Sequence, residues 1–156
     1  MADFDFTVSA VIFNAEGKVL LIHENYGRRR YGFPGGSVEP GEGIAEAVIR
    51  EVCEETCCTV RVDHVIGTYF FADTPFQAFA LACTIIDGGP RLPETEEIDE
   101  VGWFDPSALP RPQTRVLQHA LADVLAGTRG VVRCIEPNVN EATSHTGAIS
   151  GSMIPT

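Results

Sequence analysis

The stretch from residue 36 to residue 58 constrains this chain more than any other, because it patterns a helix around a cluster of carboxylates. Glu51, Glu54 and Glu55 stand at positions i, i+3 and i+4, so a helix brings them onto one face. Carboxylates this close repel one another, and a divalent cation relieves that repulsion. Hard oxygen ligands suit Mg²⁺ or Mn²⁺. For three glutamates alone, the alternative is a solvated acidic face.

An apolar stripe beside the carboxylates favours a metal site over a solvated face. With about 100° between successive residues, the stripe is formed by Ala45, Val48, Ile49, Val52 and Thr56. Glu46 and Cys53 fall on the opposite side, where solvent is expected. The glutamates are therefore predicted at the edge of the buried face, and the helix is predicted to end near Thr56.

The residues around the carboxylates suit the same interpretation. Arg50 precedes Glu54 by four residues, a spacing that allows an ion pair. Residues 33–36, Phe-Pro-Gly-Gly, predict a rigid turn with few side chains, where phosphate groups can approach the backbone. Residues 39–43 then lead into the helix, and their acidic side chains suit its positive N-terminus.

This stretch resembles the signature of the Nudix hydrolases. The signature is Gly, five residues, Glu, seven residues, Arg-Glu, an aliphatic residue, any residue, Glu-Glu, any residue, Gly and an aliphatic residue. At that spacing the chain has Gly36, Glu42, Arg50, Glu51, Val52, Glu54 and Glu55. The chain departs from the signature at Cys57 and Cys58, which replace the final glycine and aliphatic residue. Neither position is a ligand in the family, so the departure concerns the end of the helix.

The resemblance implies which residues perform the chemistry. It makes Arg50, Glu51, Glu54 and Glu55 the catalytic residues, and the three glutamates the ligands of Mg²⁺ or Mn²⁺. Glu100, chosen from the acidic stretch before Trp103, is the predicted additional metal ligand. The alternative for that stretch is an exposed acidic loop.

Predicted substrate contacts come from the segment just before the helix. They are Arg28, Arg30, Tyr31, Gly35 and Gly36. For the arginines, which adjoin Arg29, the alternative is a solvated basic loop. Tyr31 either stacks on a nucleobase or closes the core.

The remaining pattern predicts two helices around a mixed sheet. Apolar runs predict strands over residues 7–13, 18–23, 59–71, 77–86, 101–104 and 131–135, the first two forming a hairpin. Helical spacing covers residues 114–125 and ends near Gly127. This agrees with the α/β class and the Nudix-type α/β/α sandwich that the resemblance implies. Residues 1–136 are expected to form one domain, and the polar residues 137–156 a flexible tail.

The amino-acid composition limits the kinds of partner that the chain can bind. A net charge of −11 and a pI near 4.6 argue against binding duplex nucleic acid, but bound metal allows a small phosphorylated ligand. The start of the chain lacks a signal-peptide pattern, and no apolar run reaches membrane-spanning length. Five cysteines without a C-x-x-C pattern indicate reduced thiols. The prediction is a cytoplasmic protein without nucleic-acid or membrane partners, for which a homodimer is allowed.

The predicted function is a metal-dependent pyrophosphohydrolase that cleaves a nucleoside diphosphate linked to another moiety. A nucleoside triphosphate, ADP-ribose and a dinucleoside polyphosphate all stay open, because the signature defines the reaction and not the substrate. Pro75 lies near a proline of ADP-ribose-cleaving members, and the proline-rich array of NADH-cleaving members is missing. Two alternatives are a catalytically silent Nudix domain that senses a nucleotide or protein, and a structural domain with an acidic helix.

Overall fold

The computed structural model of the chain describes residues 3–137, which form two β-sheets and two helices. In chain order the elements are β1 (Asp5–Val11), β2 (Val19–Glu24), β3 (Tyr31–Gly32), β4 (Gly35–Ser37), α1 (Ile44–Thr56), β5 (Thr59–Phe71), β6 (Phe76–Asp87), β7 (Ile98–Phe104), α2 (Arg115–Leu125) and β8 (Val131–Ile135). Neither helix has the length and apolar run that crossing a bilayer requires. The predicted tail lies outside the described residues, except for Pro137.

The larger sheet is mixed, as predicted. Its strand order is β4-β1-β6-β5-β8, with parallel pairing of β1 with β6 and of β5 with β8. Its other two pairings are antiparallel. The smaller sheet, in the order β3-β2-β7, is antiparallel throughout.

The two helices cover opposite faces of the larger sheet. Val8 and Ala10 of β1 pack in one apolar cluster with residues of α1, whereas Ala78 and Ala80 of β6 pack in another with residues of α2. Successive side chains of a strand point to opposite faces, so each strand contributes to both clusters. The predicted α/β/α arrangement is confirmed.

The predicted hairpin between the first two strands is wrong. A turn does follow β1, since Asn14 N–H donates to the Lys18 carbonyl and Phe13 forms a bridge with Val19. The two strands then separate: β1 pairs with β4 and β6, and β2 with β3 and β7. The turn signal specifies a reversal of the chain, but β2 is apolar enough to be buried on both faces and takes its own partners on both edges.

Helix α1 buries a different stripe from the predicted one. Its buried residues are Ala47, Val48, Val52 and Thr56, while Ala45 and Ile49 are exposed. The observed face continues through Glu51 and Glu55, which are partly buried. The helix is thus rotated so that these two carboxylates lie within the packed face rather than at its edge. Glu46 and Cys53 are exposed, as predicted.

The end of α1 agrees with the sequence analysis. The helix ends at Thr56, and Cys57 adopts the left-handed conformation with φ of 62° and ψ of 19°. Cys57 N–H donates to the Cys53 carbonyl at 3.0 Å and so closes the last turn. A residue with a Cβ is strained in this conformation.

We expect Cys57→Gly to stabilise the protein by up to about 1 kcal/mol, because glycine adopts the left-handed conformation without strain but gains freedom in the unfolded chain. Thermal denaturation measures the change. The matched control is Cys53→Gly within the helix, which should destabilise the protein by about 1 kcal/mol. A lower melting temperature for Cys57→Gly would show that the thiol contributes more by packing than it costs by strain.

Candidate active site

Helix α1 and strand β4 approach each other closely at two glycines. A Cβ on Gly36 would lie 2.5 Å from the carboxyl carbon of Glu51, and a Cβ on Gly35 would collide with the Val8 carbonyl of β1. Gly35 N–H donates to Glu55 Oε1 at 2.6 Å. The turn predicted over residues 33–36 is therefore wrong in its second half, which is strand β4. The lack of side chains there makes room for the helix and its carboxylates.

The three glutamates of α1 differ in exposure. The side chain of Glu54 is 57% exposed, whereas that of Glu51 is 15% exposed and Glu55 is partly buried. Burial, against the Gly35 hydrogen bond and together with the negative charges of Glu51, Glu54 and Glu97, raises the pKa of Glu55 to about 8. Burial also raises the pKa of Glu51, although Arg50 opposes this.

Arg50 holds the acidic groups around the helix in place. Its Nε and Nη2 donate to the two carboxylate oxygens of Glu42 at 2.7 and 2.9 Å, a bidentate contact. Its Nη1 donates to Glu51 at 2.9 Å and lies 3.3 Å from Glu54. Its Nη2 also donates to the Ser37 carbonyl at 3.0 Å. The expected pair with Glu54 is present, but Glu42 is the closest partner.

The carboxylates suit a hard divalent cation, although they are not gathered around one point. Between residues 3 and 137, no three His, Cys, Asp or Glu side chains converge on a position that could hold a metal ion. Arg50 contacts Glu51 and Glu54, and the backbone of Gly35 holds one oxygen of Glu55. The raised pKa of Glu55 shows a carboxyl group whose neighbours are negative. A bound cation would supply the missing positive charge.

Two residues of the acidic stretch before Trp103 have different surroundings, and the role of Glu100 as a metal ligand stays a prediction. Glu100 lies within β7, opposite His23, and its carboxylate forms a hydrogen bond with the Tyr31 hydroxyl. Glu97 precedes the strand and interacts electrostatically with Glu55. The direction of the Glu100 side chain is set by the register of β7 with β2, which the sequence did not reveal.

The predicted basic and aromatic substrate contacts differ in their surroundings. Arg28 is exposed, but Arg30 is only 7% exposed and lies 3.6 Å from Glu24. Tyr31 packs between the rings of His23 and Phe104, with centroid distances of 4.4 and 5.7 Å. Phosphate contact by Arg28 stays a prediction, whereas Arg30 and Tyr31 have partners inside the protein.

A cavity of about 440 Å³ adjoins the carboxylates. Gly35 and Gly36, which contact Glu55 and Glu51, line it together with Glu24 and Tyr26. Its walls carry four aromatic rings, including that of Tyr26, and the hydroxyl groups of four serine and threonine residues; the other rings are those of Phe33, Phe71 and Phe76, and the hydroxyls those of Thr7, Ser9, Ser37 and Thr114. A second cavity, of about 380 Å³, shares no lining residue with the first.

The sequence analysis missed most of these lining residues. Thr7 and Ser9 alternate with the buried Val8 and Ala10 along β1. That alternation of polar and apolar residues indicates that Thr7 and Ser9 lie on a different face of the strand from Val8 and Ala10. Glu24 and Tyr26 gave no comparable signal, since they reach the cavity only through the pairing of β2.

Comparison with known proteins identifies the family. The NUDIX domain model matches residues 3–124 of the chain. The chain therefore belongs to the NUDIX family, which confirms the predicted membership.

Two curated relatives resemble the chain over its central part. The ADP-ribose pyrophosphatase of Methanocaldococcus jannaschii is 32% identical over 104 residues, covering 64% of this chain and 62% of that protein. Phosphatase NudJ of Escherichia coli (strain K12) is 33% identical over 101 residues, covering 62% of this chain and 65% of that protein. The match thus spans less than two thirds of the length of both curated relatives.

Solved structures share the fold. A MutT NUDIX hydrolase from Burkholderia pseudomallei superposes with a TM-score of 0.72 at 26% identity, covering 79% of this chain and 99% of that one. A UDP-X diphosphatase superposes with a TM-score of 0.69 at 26% identity, covering 85% of this chain and 68% of that one.

The contact between Arg50 and Glu42 predicts how stability depends on pH. Hydrogen bonds from Arg50 and the Glu39 backbone lower the pKa of Glu42 to about 2, from a usual value of 4.5. A lowered carboxyl pKa stabilises the fold above pH 4.5, and this stabilisation is lost as the pH falls towards 2. We therefore expect Glu42→Gln to lower the melting temperature at pH 7, and the difference from wild type to shrink below pH 4.5.

The control for this variant is Glu39→Gln, because Glu39 is 3.8 Å from Arg50 and its side chain is 65% exposed. It should change the melting temperature far less than Glu42→Gln at pH 7. Equal effects of the two variants, or a Glu42→Gln effect independent of pH, would contradict the assigned role of the bidentate contact.

Proposed function

We propose that the chain is a hydrolase of phosphoanhydride bonds that requires Mg²⁺ or Mn²⁺ and acts on a nucleoside diphosphate linked to another moiety. The observation that carries this proposal is the pair of partly buried carboxylates, Glu51 and Glu55, beside a cavity large enough for a nucleoside. Membership of the NUDIX family and the names of the relatives support it.

The catalytic roles follow from the chemistry of the side chains. Glu51, Glu54 and Glu55 would hold the cation. Glu97 is the loop carboxylate that interacts electrostatically with Glu55. When bound, Mg²⁺ or Mn²⁺ neutralises phosphate oxygens and activates water for attack on phosphorus. Arg50 keeps the carboxylates oriented, and one of them or a loop carboxylate takes the proton of the attacking water.

The cavity lined by Phe33 and Phe71 suits the nucleoside part of the substrate. Aromatic rings offer stacking surface for a base, and hydroxyl groups such as those of Thr7 and Ser9 offer hydrogen bonds to a base or sugar. Glu24 lines the same cavity and is 8% exposed, and its Oε2 accepts no hydrogen bond from the described residues. A ligand that donates a hydrogen bond would satisfy this buried oxygen.

The negative charge of the chain supports a small nucleotide as the partner in preference to nucleic acid. All five cysteines are free, which supports a reducing compartment such as the cytoplasm. The structure describes one copy of the chain, and a homodimer stays a proposal to be tested by sedimentation.

The proposal predicts hydrolysis of a nucleotide pyrophosphate only when Mg²⁺ or Mn²⁺ is present. Glu54→Gln and Glu55→Gln should each lower kcat by at least about 100-fold, the order expected for losing one key electrostatic or proton-transfer group. Glu46→Gln is the matched control, because Glu46 lies on the exposed side of the same helix. The measurement is turnover of a panel of nucleoside triphosphates, ADP-ribose and dinucleoside polyphosphates, with products separated by chromatography.

Near wild-type turnover in both glutamate variants would exclude the metal-hydrolase proposal. Binding of nucleotides by the wild type without turnover of any of them would instead favour a nucleotide sensor. Circular dichroism of each variant shows whether a loss of activity reflects the site or the fold.

A further inference from the structure

The turn between β2 and β3, residues 25–30, has an unusual backbone. Gly27 and Arg29 both have positive φ, of 56° and 50°. This conformation is unfavourable for an arginine, so surrounding contacts must hold it. Within the turn, Arg29 N–H donates to the Tyr26 carbonyl at 3.0 Å. One such hydrogen bond closes the turn but does not attach it to the rest of the protein.

The ring of His23 makes that attachment. His23 Nε2 lies 2.9 Å from the Arg29 carbonyl oxygen, and Nδ1 lies 2.5 Å from Asp99 Oδ1. A carbonyl oxygen and a carboxylate oxygen are both acceptors. Both hydrogen bonds can form together only when both ring nitrogens carry a proton, which is the imidazolium form.

Other groups around His23 suit a positive ring. Asp99 faces it from β7, the Arg29 carbonyl from the turn, and the Tyr31 ring from β3 at 4.4 Å. The Tyr31 hydroxyl in turn interacts with Glu100, a second carboxylate on β7. The guanidinium of Arg30 is directed to Glu24. Two carboxylates and an aromatic face thus surround the ring.

The turn that His23 holds reaches the cavity. Tyr26 lines the cavity and interacts electrostatically with Glu55, and its neighbour Arg28 is exposed. The start of the turn is fixed separately, because Asn25 donates from its backbone and side chain to the carbonyls of Glu97 and Glu96. The end of the turn is held at Arg30, whose carbonyl accepts from Glu24 N–H at 3.0 Å, and at Arg29, whose carbonyl faces His23.

We propose that His23 is a positioning residue, which as an imidazolium ties the Arg29 carbonyl to Asp99 and so holds Tyr26 at the mouth of the cavity. The effect on substrate rests on the proposed function, whereas the tie itself does not. Removal of the His23 ring or of the Asp99 carboxylate breaks this tie. The turn then loosens, and substrate binding weakens more than turnover.

Nuclear magnetic resonance of the ¹⁵N-labelled protein tests the tie without any substrate. His23 should show protons on both ring nitrogens at pH 6.5, with its signals assigned by their loss in His23→Gln. Exchange of the Arg29 amide hydrogen should be about tenfold faster in His23→Gln and in Asp99→Asn, as expected for losing one charge-assisted hydrogen bond. His64→Gln, which changes a histidine at the second cavity, should leave Arg29 exchange unchanged.

Kinetics then tests the effect on substrate. His23→Gln should raise KM by about tenfold and change kcat by less than about threefold, because the turn positions substrate and carries none of the proposed metal ligands. Asp99→Asn should shift KM in the same direction as His23→Gln.

A single proton on the His23 ring at pH 6.5, or unchanged Arg29 exchange in His23→Gln and Asp99→Asn, would overturn the tie. An intact tie with an unchanged KM would overturn the positioning role. A protein that hydrolyses no nucleotide would refute the proposed function. In that case the resonance experiment still decides whether the tie exists, and KM is replaced by the dissociation constant of a bound nucleotide.

Discussion

The close approach of helix α1 to strand β4 is the contact on which the rest of the site depends. Only glycine fits at Gly35, because a Cβ there would collide with the Val8 carbonyl oxygen, and a Cβ at Gly36 would displace the Glu51 carboxylate. The hydrogen bond from Gly35 N–H to Glu55 fixes the same face of the helix one turn later. Two carboxylates are thereby drawn into a packed interface, where the lower dielectric strengthens every charge interaction.

The positive charge of Arg50 offsets the repulsion among these carboxylates. A planar guanidinium can contact several carboxylates at once, and here it contacts Glu42, Glu51 and Glu54. Glu42 lies in the loop before the helix, so the ion pair also fixes the path of the chain into α1. Glu55 lies beyond the reach of these contacts, which explains why burial raises its pKa while the pKa of Glu42 is lowered. In the site, therefore, the charge of Glu42 is neutralised by Arg50, whereas Glu55 is not in contact with that arginine.

Local features of the sequence predicted much of this site. The spacing of Arg50 and the glutamates placed them together on one helix, and the end of that helix was correctly predicted near Thr56. The rotation of that helix was not predictable, because Ala45 and Ala47 are equally apolar in the sequence. The position of the sheet decided between them. Likewise Glu97 and Glu100 are alike as residues, and only the register of β7 with β2 turned Glu100 towards Tyr31.

By itself the sequence determined the family, the helix that carries the carboxylates, and the alternation of strands and helices. These depend on short-range spacing along the chain, which a helix or strand converts directly into a common face. The tertiary structure alone decided that β1 and β2 join different sheets, and that Tyr26 and Glu24 meet Gly35 around one cavity. It also decided that His23 lies between Asp99 and Arg29. Such contacts join residues distant in sequence, and their distances depend on strand pairings that no local pattern specifies.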